Sequence, residues 1–169
     1  MAALLNINKW DLNATDLFGS TALMWATKMK HDAIVKVLLE QVGIDPNIVD
    51  HLGRTPLSWA TTSGYEGIVE MLLERRDVNP NSANLEGRTP LTRAAGIGSE
   101  GIVRMLLKRN DVNPNKADGD GRTPLSRAAG PQSWFQDSEE KYKRVVKILL
   151  ERDDVNPDSA DKSGRTPLS

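Results

Sequence analysis

Three strings decide the fold: Gly87-Arg88-Thr89-Pro90-Leu91-Thr92-Arg93-Ala94-Ala95, Gly101-Ile102-Val103-Arg104-Met105-Leu106-Leu107 and Asp111-Val112-Asn113-Pro114. The first returns at Gly53-Arg54-Thr55-Pro56-Leu57, Gly121-Arg122-Thr123-Pro124-Leu125 and Gly164-Arg165-Thr166-Pro167-Leu168, with Gly19-Ser20-Thr21-Ala22-Leu23 as a variant. The third returns at Val78-Asn79-Pro80 and Val155-Asn156-Pro157, with Ile44-Asp45-Pro46 as its variant. The glycines at 19, 53, 87, 121 and 164 stand 34, 34, 34 and 43 residues apart, so the last interval is one period with nine extra residues. Self-similarity at such a period marks stacked supersecondary units, none of which can bury its apolar face alone.

Each unit opens on a tetrad: 16–19, 50–53, 84–87, 118–121 and 161–164. Asp or Asn first and Gly fourth is the preference of a type I turn, so these are exposed tips. In Thr-Pro, the hydroxyls of Thr55, Thr89 and Thr123 can cap a helix, and the prolines after them sit where a missing N–H costs nothing. The spacing predicts a short first helix through Ala60, Ala94, Ala95, Ala128 and Ala129, ending near Gly64, Gly98 and Gly130. The second helix carries Ile-Val-x-apolar-Leu-Leu at 34–39, 68–73 and 102–107, and at 145–150 with Val145 first. Its five apolar positions span an arc of about 200°, wider than one neighbour can cover. It must therefore touch its own partner helix and the units on both sides. Lys36, Glu40, Glu70, Glu74, Arg104, Lys108, Lys147 and Glu151 mark the solvent edge. Val78, Val112 and Val155 then enter an extended finger, because each following proline restricts the Asn before it.

These strings together resemble the ankyrin repeat, over nearly the whole chain. The wording Asp77-Val78-Asn79-Pro80-Asn81-Ser82-Ala83 is similar to long arrays in large fungal signalling proteins. Two departures stand out. Where the family usually has His after Thr-Pro-Leu, this chain has Ser58, Thr92 or Ser126, and Arg-Arg, Arg-Asn or Arg-Asp pairs replace the usual Gly-Ala before Asp-Val. The resemblance implies an all-α solenoid of helix-turn-helix pairs with short hairpin-like fingers. The period divides it into repeats at 16–49, 50–83, 84–117 and 118–160, the last with the insertion. Residues 1–15 read as the tail of a preceding partial repeat, through Leu4, Leu5 and Ile7, and 161–169 as the start of a truncated one with a frayed end.

With 169 residues, 38% of them hydrophobic, the chain can bury one elongated core. Cysteine is absent and only His31 and His51 are present, too few for a protein-built zinc site. No stretch approaches the roughly 20 apolar residues that span a bilayer. Lys plus Arg (22) nearly balances Asp plus Glu (23), which gives no global attraction to nucleic acid or an anionic membrane. The expectation is an intracellular, cytoplasmic monomer.

Apparent chemical motifs dissolve on inspection. Gly96-Ile97-Gly98-Ser99-Glu100-Gly101 spells a dinucleotide fingerprint, but it joins two helices instead of following a strand. Asp111-x-Asn113-x-Asn115 opens like a calcium loop, yet Lys116 takes the glycine position and Arg122 that of the bidentate carboxylate. No histidine lies near the serines and threonines after Thr-Pro-Leu, so no nucleophile and base pair can be assembled. Asn13-Ala14-Thr15 is a glycosylation sequon in spelling only. We therefore expect no catalytic residue, no metal and no cofactor.

Recognition remains. Two residues beyond the Leu of each Thr-Pro-Leu, or its variant, stand Trp25, Trp59, Arg93 and Arg127. The resemblance puts this position on the concave groove, as a stripe aromatic at one end and cationic at the other. Trp and Arg are enriched in interface hot spots. The plainer alternative is mutual stacking, Trp59 against Arg93, for about 0.5–1 kcal/mol at an exposed site. Arg54, Arg88, Arg122 and Arg165 beside the turn glycines either bind a partner or brace the neighbouring finger. The tips vary inside a constant frame: Leu17-Phe18, His51-Leu52, Leu85-Glu86, Gly119-Asp120 and Lys162-Ser163. The candidate partner-binding set is thus the stripe with His51, Leu52, Arg54, Leu85, Glu86, Arg88, Asp120 and Arg122. In the insertion at 131–139, Ser138 can cap a lengthened second helix, with Trp134 and Phe135 either folded over that helix or offered to a partner. The expected function is a non-catalytic scaffold for a protein partner, reached through the concave inner-helix and finger surface. The alternative is a rigid spacer, or a regulatory or targeting arm for a signalling or enzymatic domain of a longer protein.

Overall fold

A computed structural model of the chain describes residues 11–130 and 139–167. Leu4, Leu5, Ile7, Ser138, Trp134, Phe135 and Leu168 lie outside the described residues. Eight α-helices and no strand occur among the described residues: α1 (Ala22–Lys28), α2 (Asp32–Leu39), α3 (Pro56–Ser63), α4 (Glu66–Glu74), α5 (Pro90–Ile97), α6 (Glu100–Leu107), α7 (Pro124–Ala129) and α8 (Glu139–Leu150). They pair antiparallel, α1 with α2 and so on to α7 with α8. The odd helices stack on one another as an inner row and the even helices as an outer row.

Local chemistry explains each helix start. The Thr55 hydroxyl accepts the Ser58 N–H at 3.2 Å, and Thr21, Thr89 and Thr123 act likewise on Met24, Thr92 and Ser126. This satisfies a donor that the helix cannot pair internally, while Pro56, Pro90 and Pro124 occupy the first turn without losing a bond. Gly64 and Gly98 close α3 and α5 in the left-handed conformation. Gly130, expected to do the same, is extended instead. α8 is 12 residues long against eight or nine in the other outer helices, with Glu139 and Glu140 in its first turn.

The core is the seam between the two rows. Leu57, Leu91 and Leu125 from the inner row meet Ile68, Leu72, Ile102, Leu106 and Leu149 from the outer row, all essentially inaccessible to water. Burying each such side chain stabilises by about 1.5–3 kcal/mol. Small residues, Ala60, Ala94, Ala95 and Ala128, let the inner helices approach closely. The wide apolar arc of the second helix is covered on α4 and α6 but not on α2, where Ile34 and Val37 are half exposed. α2 packs on α1 and α4, with no described helix on its other flank.

The tips are turns whose fourth-residue N–H donates to the first carbonyl, as from Gly53 to Asp50 at 2.8 Å and from Gly87 to Asn84 at 2.8 Å. Adjacent tips join through backbone bonds: His51 N–H to the Phe18 carbonyl, Leu85 to Leu52, Gly119 to Glu86 and Lys162 to Asp120, at 2.8–3.1 Å. The approach is close enough that Gly87 is required, since a Cβ there would sit 2.7 Å from the Gly119 nitrogen, on a backbone at φ +73°.

Two further ladders hold the period. Asn47 Nδ2 donates to the Asp77 carbonyl at 2.7 Å while its Oδ1 accepts the Asn79 N–H at 2.7 Å. Asn13, Asn81 and Asn115 bridge their own neighbours in the same way. Beside them, Arg75, Arg109 and Arg152 each fork onto the Asp two residues on and reach back to a carbonyl of the preceding unit, Leu39, Arg75 and Leu107 respectively. The Arg pairs that replace Gly-Ala are therefore inter-unit clamps. Asp111, Asn113 and Asn115, the calcium-like string, are all engaged in these two ladders.

Candidate functional site

The inner helices and the tips meet along one face, and the first residue of each tip organises it. Asp50 shows the pattern. Its Oδ1 accepts the backbone N–H groups of Leu52 and Arg54, which shapes the turn, and its Oδ2 accepts Arg54 Nε at 2.9 Å and Trp59 Nε1 at 3.1 Å. Burial pushes the Asp50 carboxyl up, but these hydrogen bonds, led by Arg54, hold it below the usual aspartate range. Asp16 does the same for Trp25 Nε1 at 2.8 Å, and the Ser20 N–H is the main cause of its lowered pKa. Asp118 accepts Arg127 Nε at 2.6 Å. The residue nine positions after the tip Asp is thus oriented by its carboxylate in three units.

The stripe is more elaborate than a row of four side chains. Trp25 is 41% exposed, and the Lys28 ammonium lies between its ring (4.9 Å) and that of Trp59 (4.5 Å). Arg54 covers Trp59 at 3.8 Å. The stacking alternative therefore exists, but with Lys28 and Arg54 as its cations, and no Arg93–Trp59 cation–π pair occurs among the described residues. Lys28 is not among the residues the sequence singles out, although its position three residues after Trp25 puts both on one helix face. Arg93 donates through Nε to the Thr62 hydroxyl at 3.3 Å. Arg127 is 8% exposed and spends its charge on Asp118 and Asp120, so it does not present a cation to the groove.

In the arginine row, Arg54 pairs with Asp50 of its own tip, Arg88 with Glu86, and Arg122 with Asp161 of the next tip at 3.5 Å. Arg88 Nε is buried without a hydrogen-bond acceptor, its nearest carboxylate being Asp118 at 3.9 Å. Part of this row braces neighbouring tips. Leu52 and Leu85 stand exposed, as do Leu17 and Phe18, while the His51 side chain is exposed beside a backbone used in the tip ladder. Trp59, Arg93, Leu52, Arg54, Leu85, Glu86 and Arg88 line one cleft of about 290 Å³ between the second and third units; Trp25, Arg127, Asp120 and Arg122 do not line it. No group of residues able to hold a metal ion occurs among the described residues.

A fold of stacked helix pairs joined by tip ladders defines a class, and comparison with known proteins gives the same class. Family models for ankyrin repeats match residues 1–84 and 76–133, the three-copy form, and 120–162, the single repeat. The chain belongs to the ankyrin repeat family. Among solved structures it is similar to EF0377, an ankyrin repeat protein, with a TM-score of 0.85 and 26% identity over 95% of this chain and 78% of that one. A search of curated protein sequences finds no match. Ankyrin repeats are generally protein-protein interaction modules and generally non-catalytic, and no helix among the described residues is long and apolar enough to cross a membrane.

Proposed function

We propose that this chain is a non-catalytic scaffold that binds a partner protein across its concave face, with 16–49, 50–83, 84–117 and 118–160 as its repeats. The observation that carries it is asymmetry between the two faces. In the two middle units the outer edge offers solvated charges such as Glu70 and Arg104, whereas the inner face offers a tryptophan and arginine surface flanked by exposed Leu52 and Leu85. Bulky aromatics and guanidinium groups beside apolar patches are the composition of interface hot spots. A framework held by three hydrogen-bond ladders lets that surface bind with little ordering cost. The net charge of −1 favours neither nucleic acid nor an anionic membrane as the target, and the absence of cysteine is compatible with a reducing, intracellular compartment.

Photo-crosslinking tests this reading. Benzoylphenylalanine in place of Trp25 should label a partner protein in the native cell extract, and the same group in place of Glu70 on the outer edge should not. Labelling from Glu70 with none from Trp25 would move the interface to the convex side.

A further inference from the structure

The tip residue at 84 breaks the pattern set by its equivalents. Asp16, Asp50, Asp118 and Asp161 each use one carboxylate oxygen for the turn and the second for a side chain: Trp25, Trp59 with Arg54, Arg127, and Arg165. At residue 84 the chain has Asn. Its Oδ1 accepts the Glu86 and Arg88 N–H groups at 3.0 and 2.9 Å, so the turn forms normally and the other terminal atom must be the amide nitrogen, a donor. A donor cannot receive a guanidinium. Arg88, at the position where Arg54 and Arg165 take their own tip carboxylate and Arg122 takes that of the next tip, pairs with Glu86 and leaves its buried Nε 3.9 Å from Asp118 with no hydrogen-bond acceptor. Arg93, equivalent to Arg127, has only the Thr62 hydroxyl and no carboxylate partner among the described residues. In this cleft Asp50 balances Arg54 and Glu86 balances Arg88, which leaves Arg93 as the uncompensated charge.

We infer that the cleft at Asn84, Arg88 and Arg93 takes a carboxylate side chain from an extended partner segment, the partner supplying what the tip Asp supplies in the fourth unit. The adjoining exposed Leu52 and Leu85 and the Trp59 ring suit a bulky apolar residue beside that carboxylate. The inference rests on the concave face being the binding face, and it adds the chemistry of the occupant and its place between the second and third units. The fourth unit is unsuited to the role because Asp118 and Asp120 already neutralise Arg127.

The test uses the full chain and two fluorescein-labelled peptides in fluorescence polarisation, one with a Leu-Glu-Phe-Asp core and one with Leu-Lys-Phe-Lys, both flanked by Gly-Ser. The acidic peptide should bind about tenfold more tightly or better, the scale of one charge-assisted hydrogen bond. Asn84→Asp should remove that preference and raise the melting temperature, since it restores the internal acceptor with the residue that four equivalent tips already carry. Arg93→Gln should remove the preference with no such rise, and Arg76→Gln, exposed and outside the cleft, should change neither. Equal binding of the two peptides, binding of neither, or full acidic preference in Asn84→Asp would overturn the inference. The two readings fail separately: partner labelling from Trp25 without acidic preference sinks only the carboxylate site, and labelling from Glu70 alone sinks the concave face.

Discussion

Arg127 donates through Nε to Asp118 at 2.6 Å, and the pair is enclosed, the Asp118 side chain having no exposed surface and that of Arg127 only 10%. The same helix position in the preceding unit, Arg93, is half-buried and lacks a carboxylate. One position thus closes an internal ion pair in one unit and carries its charge without a carboxylate in the other.

The consequence for stability is a sharp contrast between two alanine variants. Arg127→Ala strands a buried carboxylate and should cost about 3 kcal/mol or more, whereas Arg93→Ala should cost less than about 1 kcal/mol. Urea denaturation followed by circular dichroism measures both, and equal costs would refute the distinction.

Asn81 should behave as a bridge rather than as a surface amide. It donates to the Asp111 carbonyl at 2.6 Å and accepts the Asn113 N–H at 2.8 Å. Asn81→Ala loses both bonds and should destabilise by about 1–2 kcal/mol. Asn81→Asp keeps the acceptor and should fall between. Hydrogen exchange at the Asn113 amide should accelerate in the Ala variant and stay slow in the Asp variant.

Arg109 should not tolerate lysine. Its guanidinium forks onto Asp111 and sends Nη1 to the Arg75 carbonyl at 3.0 Å, a geometry an ammonium cannot reproduce. Arg109→Lys should lose about 1 kcal/mol, read as a drop in the urea midpoint. The exposed neighbour Asn110 should accept Ala without measurable change.

Acid should loosen the array in a defined window. The Arg165 backbone N–H, with the Arg165 side chain and the Ser163 N–H, holds the Asp161 pKa at about 2 against an ordinary 3.8. Asp77, Asp111 and Asp154 are lowered chiefly by hydrogen bonds from Arg75, Arg109 and Arg152. A carboxyl depressed in the folded state stabilises fully above its unfolded value, and that stability is lost as pH falls through the folded value. Stability should be flat above about pH 5 and decline toward pH 2. Carbon-detected NMR titration of Asp161 with a midpoint near 3.8 would contradict the tip geometry.

Several features are legible in the sequence alone. The glycine step, the Thr caps, the Thr-Pro starts and the acidic or basic outer edge follow from local stereochemistry and burial, which act over a few residues and leave their mark at fixed spacing. The turns at Asp50 and Asn84 belong here too, because an Asx oxygen meets its own backbone two and four residues on. The Trp25, Trp59, Arg93 and Arg127 alignment was visible as well, but not what each member does.

Which of those side chains stay available was decided by neighbours 3 to 31 residues away. Asp118 and Asp120 consume Arg127, Lys28 slides between Trp25 and Trp59, and Asn84 declines Arg93. The asparagine bridges and arginine clamps likewise join units one period apart. A repeating string shows that units stack, since each has more apolar surface than it can cover. The pairing of charges and amides across the stack depends on distances that exist only once the units are in register.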